Sequence, residues 1–277
     1  MDNKKTLYIS DLDGTLLNSS VELSRFTTDT LNEMIMAGLY FTIATARTFA
    51  TVGKIVADLT MKNPIVLMNG VLIYNVEQKR YIKVNRLPSD TVIAVTRILR
   101  MFEVTGFMYE LKNGEQMTYY ESLEQKPLRD FVEERVARYN KVFRQIDSFE
   151  YASPEHVIYF SLLDKHERLQ PVYEALAAQP GLGLTMYKDI YSPDLWYLEM
   201  FSSDASKRNA VVYLREEYGF DRIIGFGDNL NDLPMFTACD VSVAVENANP
   251  EVRAAASHIC GKNEDDGVAK WLKENAV

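Results

Sequence analysis

Short apolar runs alternate with amphipathic stretches at both ends of this chain, and the alternation restricts the fold more than any other feature. Leu7–Ser10 reads as a strand and Ser24–Ala37 as a helix with Leu31, Met34 and Ile35 on one face. Leu39–Ala44 is again β-rich, Phe49–Leu59 helical, and Ile65–Met68 a short strand. The closing segment repeats the grammar, with a helix over Lys207–Tyr218, a strand over Arg222–Phe226, a helix over Leu230–Thr237 and a strand over Val241–Val243. A short strand near His258–Cys260 and a helix over Val268–Glu274 complete it. Strands alternating with helices imply a parallel sheet covered by helices.

Between about Val84 and Tyr191 the pattern changes. Thr105–Leu111 and Gln116–Tyr120 alternate like a solvated antiparallel pair, helices are expected at Leu128–Arg138 and His166–Ala178, and strands at Val142–Ile146 and Val157–Leu162. An α+β block is thus inserted into an α/β frame, a division that suits 277 residues, near the length at which single cores stop growing.

A net charge of −9 excludes a general nucleic-acid binder, which needs a basic face for phosphates. No apolar stretch approaches the ~20 residues of a membrane span, and Met1–Lys5 lacks the apolar core of a signal peptide, so a cytoplasmic location is expected. Cys239 and Cys260 have no metal-ligand spacing and read as small buried apolar groups.

The chemistry sits where strands end. Asp11-Leu12-Asp13-Gly14-Thr15 follows the apolar run Leu7-Tyr8-Ile9 directly. Asp and Gly are turn formers, so the pentapeptide alone is equally a solvated turn. Two carboxylates this close, however, call for a proton or a cation between them. A second cluster, Gly227-Asp228-Asn229-Leu230-Asn231-Asp232, follows the apolar strand Ile223–Phe226. An N-cap explains Asp228 or Asn229 but leaves the other polar groups unused. In a parallel sheet both clusters fall on the edge where ligands bind. Thr45, in Ile43-Ala44-Thr45-Ala46-Arg47, can offer a hydroxyl and nearby backbone N–H groups to an anion; Lys207 opens a helix, where a cation opposes the macrodipole. Each is singly a helix cap or a surface lysine, but the four in this order point to a phosphate site.

On these residues the chain resembles the haloacid dehalogenase superfamily of phosphatases, in its Cof-type, class IIB group. Asp11–Thr15 matches the first motif, Thr45 the second, Lys207 the third and Gly227–Asp232 the fourth. The similarity extends through Met68-Asn69-Gly70, Val243–Ala248 and Glu264–Val268. The resemblance implies a Rossmann-like core over 1–84 and 192–277, and an α+β cap over 85–191 that sets substrate specificity.

It also implies roles. Asp11 is the nucleophile and Asp13 the acid and base. Mg2+ is held by the Asp11 carboxylate, the Asp13 backbone carbonyl and Asp228, with Asp232 orienting from behind. Thr45, Ala46, Lys207 and Asn231 bind phosphate, and Arg47 and Asn69 are candidates for substrate contact. The substrate is a small phosphorylated metabolite, a sugar phosphate or else a nucleotide or cofactor phosphate, with no nucleic-acid, membrane or obligate protein partner. A phosphomutase of the same superfamily and a phosphometabolite-binding protein that kept the fold without turnover are the alternatives. Phe107, Tyr109, Tyr119, Tyr120 and Tyr187 would stack on a substrate ring or fill a sheet face. His156, His166 and His258 match no catalytic spacing. Departures from the family pattern fall at Ala46, where glycine is usual, at Arg208, where a small residue is usual, and at Glu246, where glycine precedes Asn247.

Overall fold

A computed structural model describes residues 4–189 and 192–276. The chain divides into two compact units, Met1–Lys83 with Ser206–Val277, and Val84–Ala205. The second unit runs past the expected boundary at residue 191 because Trp196–Ser202 pairs along its length with Leu182–Lys188 and Val157–Asp164.

The first unit is built on a five-stranded parallel sheet in the order His258–Cys260, Val241–Val245, Arg222–Gly227, Thr6–Ser10, Tyr40–Ile43. The two central strands are apolar along almost their whole length, as strands buried on both faces must be. Their register sets Ser10 opposite Phe226, so the two acidic segments leave the sheet side by side. Helices Arg25–Met36 and Lys207–Tyr218 are capped by Ser24 and Ser206, whose side chains accept from Thr27 N and Asn209 N. Gly219, at φ 64°, closes the second of them in the left-handed conformation that suits glycine.

One strand departs from the expected parallel sheet. Ile65–Leu67 touches it through a single parallel bridge, Ala44 to Val66, and otherwise forms an antiparallel sheet with Leu72–Asn75 and Arg80–Val84. The reason is local: Met68-Asn69-Gly70 turns with φ of 51°, 54° and 96°, sending the chain straight back instead of into a crossover helix.

The second unit is a six-stranded sheet in the order Leu182–Lys188, Trp196–Ser202, Val157–Asp164, Phe107–Lys112, Glu115–Tyr120, Phe143–Gln145. Helices Ser89–Met101 and His166–Leu176 cover one face through Val92, Val95, Leu99, Leu169 and Val172. Helix Lys126–Tyr139 brings Phe131 onto Phe107 at 4.6 Å between ring centroids. Phe107–Leu111 is therefore buried rather than solvated, since its strand is internal to the sheet and packed on both sides. Phe107 and Tyr109 fill the sheet face, Tyr109 edge-on to Tyr159, while Tyr187 stacks on Tyr197. Among the described residues no helix is long and apolar enough to cross a membrane.

Candidate active site

Every residue of the site lies in the first unit. The Asp11 turn is a tight coil in which the Leu12 carbonyl accepts from Thr15, Leu16 and Leu17 N–H at 3.3, 2.9 and 2.9 Å. Asp11 is fastened to the neighbouring strand by its own N–H, which donates to the Phe226 carbonyl at 2.9 Å. Gly14 sits at φ 77°, and a Cβ there would lie 2.5 Å from Asp228 Oδ2, so only glycine fits for two reasons at once. Thr15 Oγ1 donates to Asp228 Oδ1 at 2.8 Å, tying the first acidic segment to the second.

Asp232 organises the second segment from within. Its Oδ2 accepts from Asp228 N–H and Asn229 N–H at 3.0 and 3.1 Å, and its Oδ1 accepts from Lys207 Nζ at 2.6 Å. Asp232 is fully buried with both oxygens engaged. Lys207, also buried, spans to Asp11 Oδ1 at 2.5 Å, and a single ammonium thus bridges the two segments. The Met68–Gly70 turn seats its helix: a Cβ on Gly70 would fall 2.3 Å from the Ser206 carbonyl oxygen.

The Thr45 loop closes the third side. Thr45 is buried, its hydroxyl accepts Arg47 N–H at 3.2 Å, and a hydroxyl so engaged keeps its own proton to donate. Asn69 N–H and Met68 N–H donate to the Thr45 and Arg47 carbonyls at 3.0 and 3.1 Å, with Ala46 half-buried between. Asn231 Nδ2 reaches Asn69 Oδ1 at 3.4 Å, which brings these two expected ligand contacts against each other. Arg47 grips Asp13 with two parallel bonds, Nε to Oδ2 and Nη2 to Oδ1, both 2.6 Å. For Asp13 to act as an acid, one oxygen must leave the guanidinium and carry the proton. Arg47 and Asp13 are each expected in the site from their motifs, but no spacing signals that they pair.

Asp11, Asp228 and Asp232 have oxygens within 4.8 Å of one another, all buried. Three carboxylates face one ammonium, which leaves an excess of two negative charges if all are ionised. Burial pushes the Asp11 carboxyl up to about 7 against the opposing pull of Lys207, with Asp232 and Asp13 adding to the rise. Burial and then the Asp11 and Asp232 carboxylates hold Asp228 well above the usual range. Lys207 is raised despite its burial, because Asp11 and Asp232 outweigh the desolvation. An oxygen-only, doubly negative cluster fits a divalent cation, which removes the repulsion that otherwise favours protons on Asp11 and Asp228.

A pH dependence follows. The folded Asp11 carboxyl binds its proton up to about 7, the unfolded one only to about 3.8, so between these values the folded state holds more protons. Stability from this group is greatest on the acid side and falls as pH rises through the window. The metal-free protein should lose melting temperature from pH 5 to pH 8, Asp11→Asn should lose less, and millimolar divalent cation should flatten the curve. Thermal melts across that range check the sign.

The chain matches the family model described as haloacid dehalogenase-like hydrolase over residues 8–272. It is 25% identical over 278 residues to the 5-amino-6-(5-phospho-D-ribitylamino)uracil phosphatase of Bacillus subtilis, covering 99% of this chain and 98% of that protein. Among solved structures, a haloacid dehalogenase-like hydrolase from Bacteroides thetaiotaomicron superposes with a TM-score of 0.81 at 24% identity, covering 98% and 99% of the two chains. The HAD subclass IIB sugar phosphatase BT4131 superposes with a TM-score of 0.76 at 20% identity, covering 98% of each. Hydrolases of this kind generally use a divalent metal ion, which agrees with the acidic cluster. The chain belongs to the haloacid dehalogenase-like hydrolases, as a phosphatase.

Proposed function

We propose that this phosphatase removes phosphate from a small phosphorylated metabolite, a sugar or other polyol phosphate, by a magnesium-dependent route through an aspartyl phosphate on Asp11. The observation that carries the reading is the buried bridge of Lys207 between Asp11 and Asp232, with Asp228 against it at the adjacent strand end. Two relatives support this substrate class, one acting on a phosphorylated ribityl compound and one a sugar phosphatase.

Asp11 attacks phosphorus in line, forming its Oδ–P bond as the ester oxygen departs, and Asp13 protonates that oxygen once Arg47 lets it turn. Asp13, now ionised, takes a proton from the water that cleaves the aspartyl phosphate. Thr45, the Ala46 N–H, Asn231 and Lys207 meet the phosphoryl oxygens, with Lys207 keeping its ammonium for the charge that develops on them. Asp11, Asp228 and the Asp13 carbonyl would hold Mg2+, which supplies positive charge that draws phosphate against a carboxylate. Arg47 and Asn69 would contact the rest of the substrate. The second unit, in its role as cap, reads the leaving group.

Incubation with an aryl phosphate and a set of sugar phosphates, with and without magnesium, tests this. Free phosphate that appears with the cation and vanishes with a chelator is the expected result. Isomerised sugar phosphate with little free phosphate would move the chain to the phosphomutases, and no reaction with any substrate would sink the reading.

A further inference from the structure

Two stretches that carry the family resemblance, Val243–Ala248 and Glu264–Val268, have no part in the chemistry above. The first leaves the strand Val241–Val245 beside the Asp11 turn. Asn247 Nδ2 donates to the Gly14 carbonyl oxygen at 2.8 Å, across 233 positions of sequence. Its Oδ1 accepts from Asn263 N–H at 3.0 Å, and Asn263 Nδ2 donates in turn to the Leu17 carbonyl at 2.8 Å. Two residues on from Asn247, Asn249 N–H donates to the Asp228 carbonyl at 2.8 Å. One short loop therefore holds the backbone of Gly14 and the backbone of Asp228 together.

We propose that Asn247 is a positioning residue for the cation site: by pinning the Gly14 carbonyl it fixes the Gly14–Thr15 peptide, and through Gly14 it limits how the adjoining Asp13–Gly14 peptide can turn beside Asp228. The proposal rests on the reading of that site as magnesium-binding. Gly14 is the hinge of the arrangement, since glycine has the widest backbone freedom and its neighbour's carbonyl is a cation donor. Packing leaves no slack, for a Cβ on Gly14 would strike Asp228 Oδ2. An amide suits the place because it donates at one end and accepts at the other, whereas a carboxylate at 247 would set acceptor against acceptor. Asn247 is exposed, so its two bonds contribute little to the fold, and a cation-binding defect can be read apart from unfolding.

The test is calorimetric titration of Mg2+ into the full-length, metal-free protein. Asn247→Ala should raise the dissociation constant about 10-fold or more, as loss of a group that orients metal ligands does, while the metal-free melting temperature moves by about 3 °C or less. Asn263→Ala, which removes the side-chain bond to the Leu17 carbonyl and loosens the donor to Asn247, should weaken binding in the same direction by less, and it carries the test if Asn247→Ala does not fold. At saturating Mg2+ kcat should recover with KM for an aryl phosphate unchanged. Wild-type affinity for Mg2+ in both variants overturns the proposal, as does a wild-type protein that binds no Mg2+. A wild-type protein that binds Mg2+ but releases no phosphate sinks the proposed activity and leaves the positioning role to be decided by the same titrations.

Discussion

Asp11→Asn should bring phosphate release from an aryl phosphate down by at least about 10⁴-fold while leaving the protein folded. Removing a nucleophile forfeits the whole covalent route, and knockouts of this kind lose several orders of magnitude. The amide is isosteric, so Lys207 Nζ keeps an oxygen to donate to, and the bonds through Asp232 and Thr15 are untouched. Folding should even gain at neutral pH, because a carboxyl pushed up to about 7 by burial is replaced by a neutral group. Loss of turnover with unchanged or raised melting temperature is therefore the signature of a nucleophile, not of a structural acid. The leaving group adds a check. With Asp11 gone, good and poor leaving groups should fail alike, whereas Asp13→Asn should hurt alkyl phosphates far more than aryl ones. Retained turnover in Asp11→Asn would remove the nucleophile assignment.

The part of this site that sequence discloses is the part written at strand ends. Asp11, Thr45 and Asp228 each follow a short apolar run, and parallel pairing of Thr6–Ser10 with Arg222–Gly227 brings the first and last together by register alone. Lys207 is legible because a lysine opening a helix is electrostatically misplaced unless something holds it, and Asp11 with Asp232 does. The helix Ser89–Met101 and the strands Leu182–Lys188 and Trp196–Ser202 are not legible in the same way. That helix mixes Thr, Val and Ile with polar residues, so propensity points to strand, and it is packing against Val157, Phe160 and Leu169 that decides. The strand Ile65–Leu67 reads correctly as a strand, yet its partners depend on a left-handed turn that starts at Met68, a residue that gives no signal of positive φ. Arg47 with Asp13 and Asn247 with Gly14 are meetings of loops, and loop geometry leaves no periodicity to read.

Lys207→Met should cost both stability and activity, and the two losses separate by pH. The ammonium is buried between Asp11 and Asp232, and methionine fills its volume without its charge. Breaking a buried ion pair by deleting one partner leaves charge uncompensated, at about 3–5 kcal/mol, which for a chain of this size lowers melting by about 10 °C. The pull of Lys207 is the main influence opposing burial at Asp11, so without it the Asp11 carboxyl rises above its value of about 7. The variant should accordingly be closer to wild type in stability at pH 5, where the Asp11 carboxyl carries its proton in both proteins, and should fall further behind as pH rises toward 8. Magnesium should restore part of the stability, because it neutralises the same acids, but not the activity. A cation held by Asp11 and Asp228 would not replace the charged donor that Lys207 would offer to the phosphoryl oxygens, and its loss should cost about 10³-fold in kcat. If Lys207→Met melted in parallel with wild type across pH 5–8, the ammonium would not be what holds these carboxylates in place.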